Sequence, residues 1–295
     1  MDNNTAKSFH DKWHQNKDLA FQNTLKEGSD IQNWILTRNG WNTLNGLKDF
    51  LDNKKTILDA GCGNGRVTAL LSMNAPLDSK ITGIDLTAAD VAAENLHDIK
   101  NTSFYTKDLM ADNSDLGKFD FIYCQEVLHH TNDPYQSFSN LVTNNLAIGG
   151  TIAIYVYKKK APIREFTDDF IRDKIGGMSY DEAMKHCNQI TEFSKNISQQ
   201  THEFYSPEIE LLGIPAGNYS PQRFMYHFFM KCFWNNELDF EQNSAINYDW
   251  YHPQNCTRHS MDEVKGWFTA NPLKITHAYE DFYGITMQGV LKSTT

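Results

Sequence analysis

The sequence predicts a doubly wound α/β fold, and three observations carry that expectation. Between Thr56 and Tyr157 short β-branched runs alternate with helical stretches, the pattern of parallel strands joined by crossover helices. The run Ile57-Leu58-Asp59-Ala60-Gly61-Cys62-Gly63-Asn64-Gly65-Arg66 carries a strand into a glycine loop that opens a helix. After Tyr157 the period-two signal stops for about a hundred residues and returns only near the C-terminus, so a single core carries a large insertion.

In chain order, Ile31, Trp34 and Ile35 form one apolar helical stripe, and Trp41, Leu44, Leu47 and Leu51 form another after the Asn39-Gly40 break. Strands are expected at Thr56–Asp59, Lys80–Asp85, Thr102–Thr106, Phe119–Cys124 and Thr151–Tyr157, with helices between them and a turn at Gly149-Gly150. In the insertion, Ser179-x-x-Glu182 is a capping box ahead of the stripe Ala183, Cys187, Ile190 and Ile197. A second helix, apolar around much of its circumference, is expected from Pro221 to Trp234. Ser260-x-x-Glu263 caps a terminal helix, and Lys274–Tyr283 and Ile285–Lys292 read as two closing strands. The expected organisation is a helical cap over 1–52, a core of 53–157 with 257–295, and an insertion over 158–256.

Apolar residues make up 40% of the 295, enough to bury a sizeable core. A formal charge of −10 repels phosphate backbones and anionic membrane surfaces, so nucleic acid is a disfavoured partner and no membrane is expected. The compact basic run Lys158-Lys159-Lys160 reads as a solvated loop. No signal-peptide pattern or membrane-length apolar run is present, and the five cysteines form no C-x-x-C pair, so a reducing, cytoplasmic setting is expected.

The chemistry starts at the glycine loop, where missing Cβ atoms let backbone approach a ligand. Dinucleotide sites use G-x-G-x-x-G at this place, whereas Gly61, Gly63 and Gly65 are spaced G-x-G-x-G. Asp85 ends the second strand, where a carboxylate can accept both hydroxyls of a ribose. Asp108 follows the third strand and could receive the exocyclic amine of adenine while Leu109 covers the ring.

With D-A-G-C-G-N-G-R, G-I-D-L, D-L-M and F-D-F-I-Y-C-Q-E-V-L-H-H-T-N-D-P in this order, the chain resembles the class I S-adenosylmethionine-dependent methyltransferases of small molecules, quinone-ring methylating enzymes among them. The likeness covers Thr56 to Tyr157 and the terminal helix and strands. It implies a Rossmann-like seven-stranded sheet with S-adenosyl-L-methionine as cofactor. It further implies that Asp59, Gly61 and Gly63 surround the methionine and ribose portions, Asp85 holds the ribose, Asp108 and Leu109 hold adenine, and Gln125 lies beneath the sulfonium side. Cys62, Asn64, Gly65 and Leu86, their neighbours in the two loops, complete the cofactor set.

His129 and His130 follow the fourth strand on the side where the methyl group would point, and either could accept a proton from an oxygen or nitrogen acceptor. The alternative is that they pack on a helix or bond the cofactor or backbone. His202 in the insertion is a further candidate base. Acceptor choice should reside in the insertion, with Tyr205, Tyr219, Arg223, Tyr226, Trp250, Tyr251 and His252 as candidate contacts, and with His227, Arg258 and His259 behind them. Arg164, Asp168, Asp169 and Arg172 have the spacing of exposed helical ion pairs, although Arg164 follows the fifth strand closely enough to meet an anionic acceptor. His252-x-x-x-Cys256-x-x-His259 is short enough for zinc, but no second cysteine pair completes a tetrahedral set, so no metal is expected.

The expected function is methyl transfer to a small-molecule acceptor, at oxygen or nitrogen before carbon. A protein or RNA methyltransferase, or a protein that binds the cofactor without transfer, are the alternatives. A nicotinamide oxidoreductase is disfavoured by the glycine spacing, and the sequence leaves the acceptor and the oligomeric state open.

Overall fold

The computed structural model describes residues 3–293, which form two compact units. Residues 13–158 and 257–293 make the first, and residues 3–12 and 159–256 make the second. Nine strands occur among the described residues: β1 (Thr56–Ala60), β2 (Lys80–Asp85), β3 (Thr102–Thr106), β4 (Phe119–Gln125), β5 (Leu146–Tyr157), β6 (Phe204–Ser206), β7 (Gly217–Tyr219), β8 (Leu273–Glu280) and β9 (Gly284–Leu291). No helix among the described residues is long and apolar enough to cross a membrane.

The first unit holds a seven-stranded sheet in the order β3-β2-β1-β4-β5-β9-β8. The pairs among β1 to β5 are parallel, and β9 runs antiparallel to both β5 and β8. Parallel strands buried on both faces need apolar residues at successive positions, and β4 supplies them. Ile122 joins Leu58, Phe138 and Phe268 on one face, while Phe121 and Tyr123 join Ile57, Leu47 and Leu70 on the other. Phe121 and Ile122 are fully buried, each side chain worth about 1.5–3 kcal/mol of transfer free energy. Strand order reverses between β1 and β4, and this topological switch point opens a crevice at their carboxyl ends.

In the second unit the helices Pro162–Ile175, Tyr180–Ser198, Pro221–Phe228 and Phe240–Tyr251 pack with a short antiparallel pair, β6 and β7. The capping box at Ser179 and Glu182 forms as its pattern requires, and Ala183 and Cys187 are buried. Two expectations are corrected here. Strand structure does not stop in the insertion, because β6 and β7 pair through Tyr205 and Asn218. The helix from Pro221 ends at Phe228, six residues short of Trp234, with Met225 O accepting from Phe229 N and Met230 N at 3.0 Å each. Beyond it, the amides of Lys231, Phe233 and Asn235 donate to the side chains of Asp168 (2.9 Å), Asn247 (2.8 Å) and Asn243 (2.7 Å). That alternation satisfies every second amide from outside, so tertiary bonds replace the helical ladder.

Candidate functional site

The glycine loop turns sharply off β1, with Gly61 N and Cys62 N both donating to Ile84 O on β2 at 2.7 and 3.0 Å. Gly61, Gly63 and Gly65 have φ of 88°, 53° and 83°, a region that side chains with a Cβ rarely enter. Packing adds a second constraint. A Cβ on Gly61 would meet Val127 Cγ2 at 2.2 Å, and one on Gly65 would meet Leu96 Cδ1 at 2.7 Å. The loop is thus clasped from outside by protein atoms. Asn64, fully buried, donates to the carbonyls of Lys17 (3.0 Å) and Leu19 (3.1 Å) and ties the N-terminal segment to the loop.

Three carboxylates stand at successive strand ends, as the sequence indicated. Asp59 on β1 is 2% exposed and accepts from Thr68 Oγ1 at 2.6 Å. Burial raises its pKa first and most, the Thr68 bond and Arg66 oppose, and Asp85 adds to the rise, leaving it pushed up to about 6. Asp85 accepts from Gly63 N at 3.0 Å through Oδ2, while Oδ1 takes Thr87 N (2.8 Å), Ala88 N (3.0 Å) and Thr87 Oγ1 (3.2 Å). Each carboxylate oxygen offers about two acceptor positions, so the half-buried Asp85, with one donor on Oδ2, braces the glycine loop and keeps capacity on that oxygen. Asp108 accepts from Met110 N at 2.9 Å and is half-buried. Its neighbour Leu109 lies in the apolar core, and the half-buried apolar side chain of that loop is Met110. Leu86 is half-buried beside Asp85, and Cys62 is buried, its thiol pushed well above the ordinary value by burial and then by Asp85 and Asp59.

These residues fit the nucleoside of an adenosyl cofactor: a loop with three positive-φ glycines after β1, a carboxylate at the end of β2 and a further acid beyond β3. Gln125 is 6% exposed and exchanges amide bonds with Asn39, Nε2 donating at 2.5 Å and Oε1 accepting at 3.2 Å. Gln288 Nε2 donates to Asn39 O at 2.9 Å, so three buried amides hold one another.

Sequence reasoning missed Glu126, Arg38 and Trp13. Glu126 has φ of 66°, which costs a non-glycine residue about 1–2 kcal/mol. It is held by Arg66 at 3.1 Å and Arg38 at 3.5 Å. Arg38 is 1% exposed, its guanidinium 3.8 Å from the Trp34 ring centroid and 4.4 Å from that of Tyr155, with Nη2 donating to Tyr123 OH at 3.3 Å. Nothing in the residue pattern marked Glu126, and Arg38 lay inside what reads as an apolar stripe. Trp13 lies over Gly63.

His129 and His130 are both buried, with ring centroids 4.3 Å apart. His129 lies against Tyr157 with ring centroids 3.7 Å apart and planes tilted by 34°, and His130 meets the same ring edge-on at 5.6 Å. Thr257 N and Oγ1 donate to His129 O at 2.9 and 3.1 Å. His259, in the same unit, lies 2.7 Å from Glu263 Oε1.

In the insertion, His202 and Tyr205 are exposed, and Tyr219 is half-buried with its hydroxyl donating to Pro215 O at 2.8 Å. Arg223 is half-buried near Tyr226, itself buried. Trp250, Tyr251 and His252 are interior residues: Trp250 Nε1 and Tyr251 OH donate to Asp168 at 2.8 and 2.9 Å, and His252 bonds Ser8, Tyr248 and Met178 O. The expectation of exposed ion pairs at Arg164, Asp168 and Arg172 is overturned. Arg164 and Asp168 are each 1% exposed because Trp250, Tyr251 and Lys231 close around Asp168, and Arg172 is 5% exposed, Nη2 donating to Trp250 O at 3.0 Å while Nη1 keeps the expected pair with the half-exposed Asp169. Arg164 therefore does not stand open at the end of β5. Among the described residues no three His, Cys, Asp or Glu side chains gather in a metal-ligating group.

Residues 58–152 match the methyltransferase domain family. Over 125 residues the chain is 36% identical to an uncharacterised protein of Synechococcus, a match covering 38% of this chain and 28% of that protein's length. A ubiquinone biosynthesis O-methyltransferase of Coxiella burnetii is 22% identical over 66% of this chain and 75% of its own. A Rhodobacter sphaeroides crystal structure, named for the zinc-dependent alcohol dehydrogenases, aligns with a TM-score of 0.52 at 13% identity, over 99% of this chain and 100% of the other. At that identity the likeness is one of fold alone.

Proposed function

The chain belongs to the class I S-adenosylmethionine-dependent methyltransferases, and from that premise we propose that it methylates a small-molecule acceptor, at oxygen or nitrogen rather than carbon. The observation that carries the reading is the set Asp59, Asp85 and Asp108 at three successive strand ends beside a loop with positive-φ glycines at 61, 63 and 65. The likeness to a ubiquinone biosynthesis O-methyltransferase supports a small-molecule acceptor.

The cofactor supplies an activated methyl on a sulfonium, so the protein's task is placement and exclusion of water. Asp85 takes the ribose hydroxyls, Asp108 the adenine amine, and the Gly61–Gly65 backbone the methionine portion, with Cys62, Asn64 and Leu86 shaping the loops. Leu109 supports the adenine wall from the core. Gln125, fixed by Asn39, lies on the sulfonium side. His130 is the base for a hydroxyl or ammonium acceptor, with His129 as its packing partner and His202 as the alternative base. Tyr205, Tyr219 and Arg223 are the acceptor contacts, and Tyr226, Trp250, Tyr251 and His252 shape the insertion behind them. The five buried, unbridged cysteines support a cytoplasmic setting.

Calorimetric titration tests the reading. S-adenosylmethionine should bind with a Kd on the order of micromolar, and Asp85→Ala should weaken it at least tenfold. Tight binding of NADH in its place would overturn the assignment.

A further inference from the structure

The second unit carries more buried positive charge than its own acids balance. Asp168 is engaged on both oxygens: Arg164 Nε (3.0 Å) and Trp250 Nε1 (2.8 Å) donate to Oδ2 and Lys231 N (2.9 Å) to Oδ1, while the single Tyr251 hydroxyl proton is shared between Oδ1 (2.9 Å) and Lys231 O (2.7 Å). Arg164 Nη1 is buried with no acceptor. Lys231, 6% exposed, places its ammonium 4.8 Å from the Trp250 ring centroid and forms no ion pair among the described residues. The other acid that favours its charge, Asp249, is engaged by Lys12 at 2.8 Å. Burial pushes the Lys231 ammonium down to about 8, which still leaves it mostly charged at neutral pH. A third sign comes from His227, pushed down to about 3 by burial and then by Arg164, Arg223 and Lys160, so positive charge converges on that ring from three side chains.

Buried charge is normally paired, and a protein that keeps a buried lysine beside a buried arginine with an orphaned N–H holds donors for an anion it does not itself contain. We propose that the insertion has an anion-binding site, built on Lys231 Nζ and Arg164 Nη1 over the face of Trp250, that takes a carboxylate or phosphoryl group. The rings of Trp250 and Tyr226, 5.1 and 4.7 Å from the Arg164 guanidinium, fix its plane. That this anion belongs to the methyl acceptor rests on the function proposed above; the site itself does not.

The experiment uses the full chain without S-adenosylmethionine, titrated calorimetrically with sodium phosphate and separately with sodium benzoate, at constant ionic strength kept with chloride. Saturable binding of either anion is expected, and the stronger of the two identifies the group. Lys231→Met should weaken it at least tenfold while its unfolding midpoint in chloride equals or exceeds the parent's, since a buried unpaired charge is removed. Lys231→Arg should bind within a few-fold of the parent, and it carries the test if the methionine variant does not fold. Absence of saturable binding by both anions overturns the proposal, as does parental affinity in Lys231→Met or a lowered midpoint, which would make Lys231 a structural partner. An S-adenosylmethionine titration in parallel separates this outcome from failure of the methyltransferase reading: Lys231→Met should leave that affinity unchanged.

Discussion

The indole of Trp13 stands where a side chain on Gly63 would begin, its Cζ2 2.7 Å from the position of a Cβ there. The N-terminal segment and the glycine loop are therefore one packed structure, fastened further by Asn64 and Asn95, which both donate to Lys17 O.

Gly63→Ala should destabilise the protein by about 1–3 kcal/mol, since it meets both a positive φ and the indole. Trp13→Ala in the same chain should relieve only the steric part. A double-mutant cycle by urea denaturation would show the coupling, and additive effects would mean that the two do not press on each other.

Asp59→Asn should stabilise the protein at neutral pH. The Asp59 carboxyl titrates at about 6 when folded against an ordinary 3.8, so the folded state binds its proton more tightly. Its contribution is fully present below the ordinary value and is lost as pH rises through about 6. A rise from 3.8 to about 6 corresponds to about 3 kcal/mol at most. Stability measured from pH 4 to 7 should fall in the parent and stay flatter in the variant, where Thr68 Oγ1 can still donate to the amide oxygen.

Arg38→Ala should cost about 3–5 kcal/mol, because it empties the buried space between Trp34 and Tyr155 and removes a guanidinium partner of Glu126. A loss under about 1 kcal/mol in chemical denaturation would mean that the buried guanidinium is not a structural centre.

Much of this fold is legible because local chemistry and global fold agree. β-branched runs, the Ser179 and Ser260 caps and the glycines at 61, 63 and 65 each dictate their own backbone, and the sheet follows from them. The insertion is harder because its structure is set from a distance. Arg164 and Asp168 have the spacing of an exposed pair, and only Lys231, Trp250 and Tyr251, far along the chain, draw them inside. The same holds for the helix end at Phe228, decided by Asp168, Asn243 and Asn247. Within the candidate site the acids announced themselves through strand ends, whereas Glu126 could not, since its strain is a property of the loop and not of the residue type.

The two adjacent histidines should separate by kinetics. His129 lies against Tyr157 and its carbonyl is held by Thr257, so His129→Ala should mainly lower stability, by about 2–4 kcal/mol, from the cavity it leaves. His130 meets Tyr157 edge-on and lies beside the His129 ring, and as the base it should matter in the transition state more than in binding. His130→Ala should therefore lower kcat by about 10²–10⁴ with KM nearly unchanged, measured with an acceptor that must lose a proton. Full turnover at saturating acceptor would exclude it from proton transfer and leave His202 as the candidate to examine.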